Sequence, residues 1–313
     1  MSARKTLLFA ALLALPACSF DFARSTDVTD RRILAIQVEP PELAGGAALP
    51  AFVQARALVV DPSAPDAVTE IHWWSCMVVD LASGAGDSRC PEGEATVLLA
   101  SGEAPLSAVS QTVPLPPEVV GVLASGRDVP APQVQVQLKV GSGEGELFAI
   151  KEVAVTPLLP EGQEANRNPV LQRLMLNGEE WLPDVPRVLR YGECPDEERK
   201  EVEAEDGSRV RVCEHDIEPI FDEAEAQFYE ERGLSGEPET QRERLRFNWF
   251  SDAGSFRRGR TDQKDPRDPS PDNIGPKAEW REPPTKNAGA TIWVVIRDGR
   301  GGIHWERREV RFE

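Results

Sequence analysis

A five-residue pattern occurs twice in this chain. Ile71-His-Trp73-Trp74-Ser75 and Phe247-Asn-Trp249-Phe250-Ser251 share apolar, polar, Trp, aromatic and Ser at an offset of 176 residues. Lys151-Glu-Val153-Ala-Val155 matches Arg308-Glu-Val310-Arg-Phe312 at an offset of 157, and the glycine turn Gly141 to Gly145 falls on Asp298 to Gly302 at the same offset. The opening segments align Ile33 with Val170, 137 residues apart. Self-similarity at about one domain length means that whatever one half folds into, the other must fold into as well. A length of 313 residues suits about two such units.

The local pattern within each unit is that of strands. In the first half, apolar extended segments begin at Ile33 and at Phe52, Glu70, Ala95, Val134 and Phe148, separated by Gly, Pro, Ser and Asp clusters. Val134, Val136, Leu138 and Val140 alternate with Gln135, Gln137 and Lys139, a period of two that buries one face and wets the other. One helical turn or two is expected at Pro117 to Ala124. The polar, proline-bearing residues 159–168 read as a linker. The second half repeats the series from Val170, with strands at Leu245 to Phe250 and a closing hairpin Thr291 to Phe312 that turns through Asp298-Gly-Arg-Gly-Gly302.

The offsets place the insertions. The second half is longer by 39 residues before its Trp strand, and the first is longer by 19 after its own. An amphipathic helix is predicted within the longer insertion, over Pro219 to Glu231, with Ile217, Ile220, Phe221, Ala224 and Phe228 on one face and Gly233 as its stop. The expected architecture is all-β: two tandem immunoglobulin-like β-sandwiches, the second carrying a disulfide loop and that helix. The expected divisions are a signal at 1–17, an anchor and tether at 18–32, a sandwich at 33–158, the linker, and a second sandwich at 169–313 with its insertion at about 185–235. Trp280-Arg-Glu-Pro283, Gly289, Val294-Val-Ile296 and Asp298-Gly299 resemble the late pattern of polycystic-kidney-disease-like domains, a family of such sandwiches, and each half is also similar to bacterial immunoglobulin-like domains.

The start of the chain carries a different message. Arg4 and Lys5 precede an apolar run, Leu7 to Leu15, that is shorter than the roughly 20 residues a spanning helix needs. The run ends in Leu15-Pro16-Ala17-Cys18, which resembles the lipobox of bacterial lipoproteins. That resemblance implies cleavage after Ala17, a diacylglyceryl thioether on Cys18 and an acylated new amino terminus, palmitate included. Ser19, in place of aspartate, implies the outer membrane of a Gram-negative envelope. Two or more acyl chains anchor stably without help from the protein surface.

Composition bounds the partners. The chain has 35 basic and 53 acidic residues, and loss of Arg4 and Lys5 with the signal leaves 33 against 53, a formal net of −20. This balance argues against nucleic acid and against adhesion to anionic lipid surfaces. With Cys18 assigned to lipid, an even set of four cysteines remains in an exported chain, which reads as disulfides. Of three possible pairings, assignment to separate repeats favours Cys76 with Cys90 and Cys194 with Cys213. A zinc site is disfavoured, because no Cys-x-x-Cys step occurs and the histidines are only His72, His215 and His304.

No nucleophile elbow, phosphate loop, His-Glu-x-x-His or dinucleotide fingerprint is present, and the expectation is a protein that is not an enzyme and uses no cofactor. Calcium is the ligand that could draw on Asp252, Asp262, Asp265 and Asp298, with Asp268 and Asp272 nearby. The intervening Lys264, Arg267 and prolines favour a solvated loop instead. Adjacent aromatics on a strand face opposite ways, so each Trp strand should give one core and one outward ring. Trp74, Phe250 and Trp293 are thus the candidate binding surface. The expected function is a non-catalytic, lipid-anchored envelope protein that presents a protein-binding or structural surface. The alternative is a calcium- or carbohydrate-dependent adhesion module.

Overall fold

The computed structural model describes residues 25–45, 52–78, 96–126, 133–204, 206–232, 238–265, 268–270, 273, 275–287 and 289–313. Alternating apolar residues build two β-sandwiches, each around its own core. In the first, β1 (Arg32–Glu39), β3 (Phe52–Val60) and β6 (Ser110–Pro114) pair antiparallel in the order β1-β3-β6. They face a sheet of order β2-β8-β7-β4-β5, built from β2 (Glu42–Ala44), β4 (Val68–Val78), β5 (Thr96–Pro105), β7 (Gln133–Val140) and β8 (Leu147–Thr156). The chain changes sheets between β1 and β2 at Pro40-Pro41, where two residues without a backbone N–H interrupt ladder pairing. It re-enters parallel to β8.

The single α-helix among the described residues, α1 (Pro117–Ser125), links β6 to β7. It begins with proline at its first position, lays Val119 and Leu123 on the core, and ends at Gly126, which takes the left-handed conformation at φ 57°. This is the segment where a helical turn is expected from the sequence.

The second sandwich repeats the topology. One sheet runs β10-β9-β13-β19-β17, from β9 (Arg173–Leu176), β10 (Glu179–Trp181), β13 (Arg209–Ile220), β17 (Ser255–Phe256) and β19 (Ala278–Arg281). Its partner runs β11-β21-β20-β16-β18, from β11 (Arg187–Leu189), β16 (Arg246–Ser251), β18 (Arg260–Asp262), β20 (Gly289–Arg297) and β21 (Ile303–Phe312). Here too a short strand, β11, pairs parallel with the last strand, β21. Opening, second, Trp-bearing, penultimate and last strands occupy the same positions in both sandwiches, the Greek-key order of immunoglobulin-like domains.

Trp73 on β4 and Trp249 on β16 lie at equivalent core positions, cross-strand from Leu138 and Val294 respectively, and both are fully buried. In the opening strands, the buried pair Ile36 and Val38 corresponds to Leu174 and Leu176, one residue off the alignment drawn from sequence. The type of turn after β9 is set by Asn177-Gly178, both at positive φ (51° and 79°), as a two-residue hairpin needs.

The insertion departs from expectation in one element. Residues Pro219 to Glu231 do not form a helix. β13 continues to Ile220, a 3-10 turn follows at Glu223–Glu225, and β14 (Phe228–Arg232) pairs with β15 (Pro238–Arg242) as a separate hairpin. Cys213, His215, Ile217 and Pro219 are buried at every second position, so the apolar residues serve a strand period. Ile217 is paired on both sides, to Leu176 of β9 and Ala278 of β19, and that sheet pairing overrides the helical reading. Asp222 then accepts from the Ala224 N–H at 2.9 Å, closing a turn, and Phe228 is 65% exposed. The Cys194–Cys213 disulfide is present, with Cα atoms 5.9 Å apart. It ties the loop before β12 (Arg199–Glu203) to β13, on which β12 also pairs.

Candidate functional site

The most elaborate polar arrangement lies between the two sandwiches. The β20–β21 turn, Asp298 to Gly302, projects from the second sandwich against β1, β2 and β8 of the first. Asp298 organises it: Oδ1 accepts the N–H groups of Arg300, Gly301 and Gly302 at 2.7, 3.0 and 2.9 Å. Gly301, at φ 116°, holds a conformation closed to other residues and aims its carbonyl at the Lys151 ammonium, which donates to it. Arg300 then reaches across. It donates to Glu42 of β2 at 2.8 Å and to Glu243 at 3.0 Å, and stacks over Tyr229 of β14 at 4.7 Å.

The polar segment between the sandwiches takes part. Asn166 donates its N–H to Glu42 at 2.6 Å and its Nδ2 to Asp298 at 3.0 Å. Asn168 donates to the Val38 carbonyl at 2.8 Å and accepts the Ile303 N–H at 2.8 Å. Gln37 of β1 donates to the Ile303 carbonyl at 2.5 Å. Burial raises the Glu243 carboxyl to about 7, with the nearby Asp298 charge adding to the rise. Burial lowers Lys151 to about 8, opposed by the Asp298 charge. Both groups thus hold their charges at a cost that neighbours offset only in part.

Beside this network is an apolar layer. Val28, Leu34, Ala35 and Val60 pack against Trp293, Val295 and Ile303, with Leu58, Phe250 and Trp305 partly buried on its margin. Val28 belongs to a strap ahead of β1 that lies along the end of β16: Ser251 donates to the Thr26 carbonyl at 3.1 Å and accepts from the Val28 N–H at 2.8 Å. The strap therefore fastens to the second sandwich before the chain enters the first.

This layer corrects two of the three aromatic candidates. Trp293 is 5% exposed, and Phe250 packs on the same cluster and otherwise lines the cleft beside the strap, so neither stands on an open face. Strand alternation does send them outward from the core of the second sandwich, but the first sandwich covers that face. Trp74 is different. It stacks on His72, ring centroids 5.5 Å apart, and lies cross-strand from Leu98, 56% exposed. Ile150 lies on the same outer face of the first sandwich, one strand further across Gln137.

The carboxylates proposed for calcium are employed separately. Asp252 accepts from Thr291 N–H at 2.6 Å at one end of β20, whereas Asp298 caps the turn at the other. Asp262 pairs with Arg260 at 3.3 Å. The loop holding Asp265 and Asp268 is tied by Asn273, which donates to both of their carbonyls, at 2.5 and 2.6 Å, and accepts the Asp265 N–H at 2.9 Å. Asp272 lies outside the described residues. Among the described residues no three His, Cys, Asp or Glu side chains converge to hold a metal ion.

His215 is buried and stacked on Trp280. Asn177 Oδ1 accepts the Asp216 N–H at 3.0 Å, which turns its Nδ2 towards His215 Nδ1 at 2.9 Å. Nδ1 is then an acceptor, and Nε2 donates to Glu282 at 3.1 Å. The imidazole ties β13 to the turn after β9 and to the residue that follows β19. Cys76 is disulfide-bonded. Cys90, the partner expected for it, and Cys18 with the whole signal lie outside the described residues.

Strand order and the buried Trp pair define a protein of two tandem immunoglobulin-like sandwiches fused through a polar and apolar junction. No protein-family model matches the chain, and no curated protein sequence matches it. Among solved structures, it is similar to a chimeric titin Z1Z2 functionalized with an exogenous decorin peptide, at 10% identity over 91% of this chain and 98% of that one, with a TM-score of 0.19. It is also similar to dimeric latent PorU from Porphyromonas gingivalis, at 10% identity over 92% of this chain and 24% of that one, with a TM-score of 0.20. Superpositions this loose leave the sandwich assignment to the strand order itself.

Proposed function

We propose that this chain is an exported lipoprotein, acylated on Cys18 and held at the outer membrane, whose two sandwiches form one rigid, non-catalytic body that presents a binding surface to an envelope protein. The observation that carries the reading is Leu15-Pro16-Ala17-Cys18 at the end of a short apolar run behind Arg4 and Lys5. Two features support the rest. The fused junction spends its charged and aromatic side chains on holding the domains together. Half-buried Trp74 and exposed Leu98 offer a partner an apolar patch on the first sandwich.

Metabolic labelling with an alkyne palmitate tests the anchor. Wild-type chain should take up label and stay with outer membranes through a high-salt wash, and Cys18→Ser should take up none and be released by that wash. An unlabelled wild-type chain overturns the reading.

A further inference from the structure

The densest positive charge in this acidic chain lies on the second sandwich. Residues 242–262 contain six arginines, Arg242, Arg244, Arg246, Arg257, Arg258 and Arg260. Two of these meet Arg281 of β19 and Arg297 of β20 around a cleft of about 740 Å³, whose other walls include Asn248, Gly259 and the strap residues Ser25 and Thr26. Among the described residues no carboxylate lines it. The carboxylates that pair with these arginines stand outside the lining: Glu279 with Arg257 at 3.0 Å, Asp262 with Arg260 at 3.3 Å, and Glu214 with Arg281 at 2.8 Å. Arg297 has only neutral acceptors, Asn248 Oδ1 at 2.8 Å and the Leu34 carbonyl at 3.2 Å, and no carboxylate among the described residues lies within ion-pair distance. A half-buried guanidinium without a counter-ion, at the wall of a cleft with three more, is a site for an anion.

The position of the cleft says which anion. The strap is fixed to Ser251, and Ser25, where the described residues begin, lies at the cleft's edge. Seven residues, Cys18 to Arg24, separate that edge from the proposed lipid, and they span at most about 25 Å on any path. We infer that the cleft receives phosphate groups of anionic lipid headgroups and seats the second sandwich on the bilayer surface. This rests on the Cys18 anchor for the placement of the membrane. It also reverses, locally, the expectation from net charge that attachment depends on the acyl chains alone.

The test uses the chain from residue 18 onward with Cys18→Ser, so that no acyl chain contributes, in co-sedimentation with phosphatidylcholine vesicles with or without phosphatidylglycerol. Binding should require phosphatidylglycerol and weaken with salt. Adding Arg257→Gln and Arg260→Gln, two arginines more than half exposed, should weaken it about 30-fold. The same charge change at the exposed Arg190 and Arg209 should leave it unaltered, with melting curves confirming that both variants fold. Equal binding to both vesicle types, or equal loss in the two double variants, overturns the inference. A rise in melting temperature with inorganic phosphate but not with chloride of the same ionic strength, without binding to phosphatidylglycerol vesicles, overturns the lipid and assigns the cleft to free phosphate. Failure here with Cys18 labelled removes the cleft and keeps the anchor, whereas vesicle binding with Cys18 unlabelled removes the anchor and keeps the cleft.

Discussion

Glu243 reads in sequence as one more surface charge in Arg242-Glu-Arg-Leu-Arg246, yet its side chain is buried at the junction, bonded to Gln227 N–H and Arg300. Burial, and then the Asp298 charge, raise it from 4.5 to about 7. A carboxyl raised on folding stabilises the fold fully below its unfolded value and loses that contribution as pH rises through the folded one. From pH 4.5 to 7, wild type should therefore lose up to about 3 kcal/mol relative to Glu243→Gln. Denaturant titrations of both proteins across that range measure the difference, and a constant difference would count against the assignment. Lys151 contributes oppositely. Lowered to about 8, its contribution is lost as pH falls from its unfolded range towards that value. The residues that proved to matter at the junction, Glu42, Lys151, Asn166, Asn168, Glu243 and Arg300, carry no local signature. Only Arg300 had a hint, an arginine set among the glycines of a tight turn.

Elements followed the sequence where one period ruled. The alternation in β7 and the helical turn at Pro117 to Ala124 act over neighbouring residues, and each took the expected form. Pro219 to Glu231 satisfied a helical pattern and a strand pattern together, and contacts with β9 and β19 chose the strand. The strap was expected only as a polar tether. Its docking depends on Gly259, where a Cβ would collide with Thr26 Cγ2. Gly259→Ala should lift the strap, and amide exchange at Val28 and Ser251 should quicken by about tenfold or more while β3 and β13 stay protected. Unchanged exchange at those two amides would show that the strap tolerates the methyl.

At the scale of the whole molecule, two copies of one fold differ in what their outer faces carry. Outward residues on β7 are Gln135 and Gln137, and those on β20 are Trp293 and Val295. The apolar pair is the face that became the junction. Trp293→Ala removes its largest ring and should cost about 3–5 kcal/mol of coupling between the sandwiches. Calorimetry should then resolve two unfolding transitions where wild type shows one, and a single transition in the variant would mean the polar network suffices alone.

The repeat, the strand periods, the Cys194–Cys213 pair and the all-β class were determined by the sequence alone, because each depends on interactions between near neighbours or on a pattern copied within the chain. Burial of Trp293, the charge state of Glu243 and the cleft beside the strap were decided only in the tertiary structure. They depend on which surfaces of two finished sandwiches meet, and that meeting joins residues more than 200 positions apart, as when Arg300 reaches Glu42, |i−j| = 258.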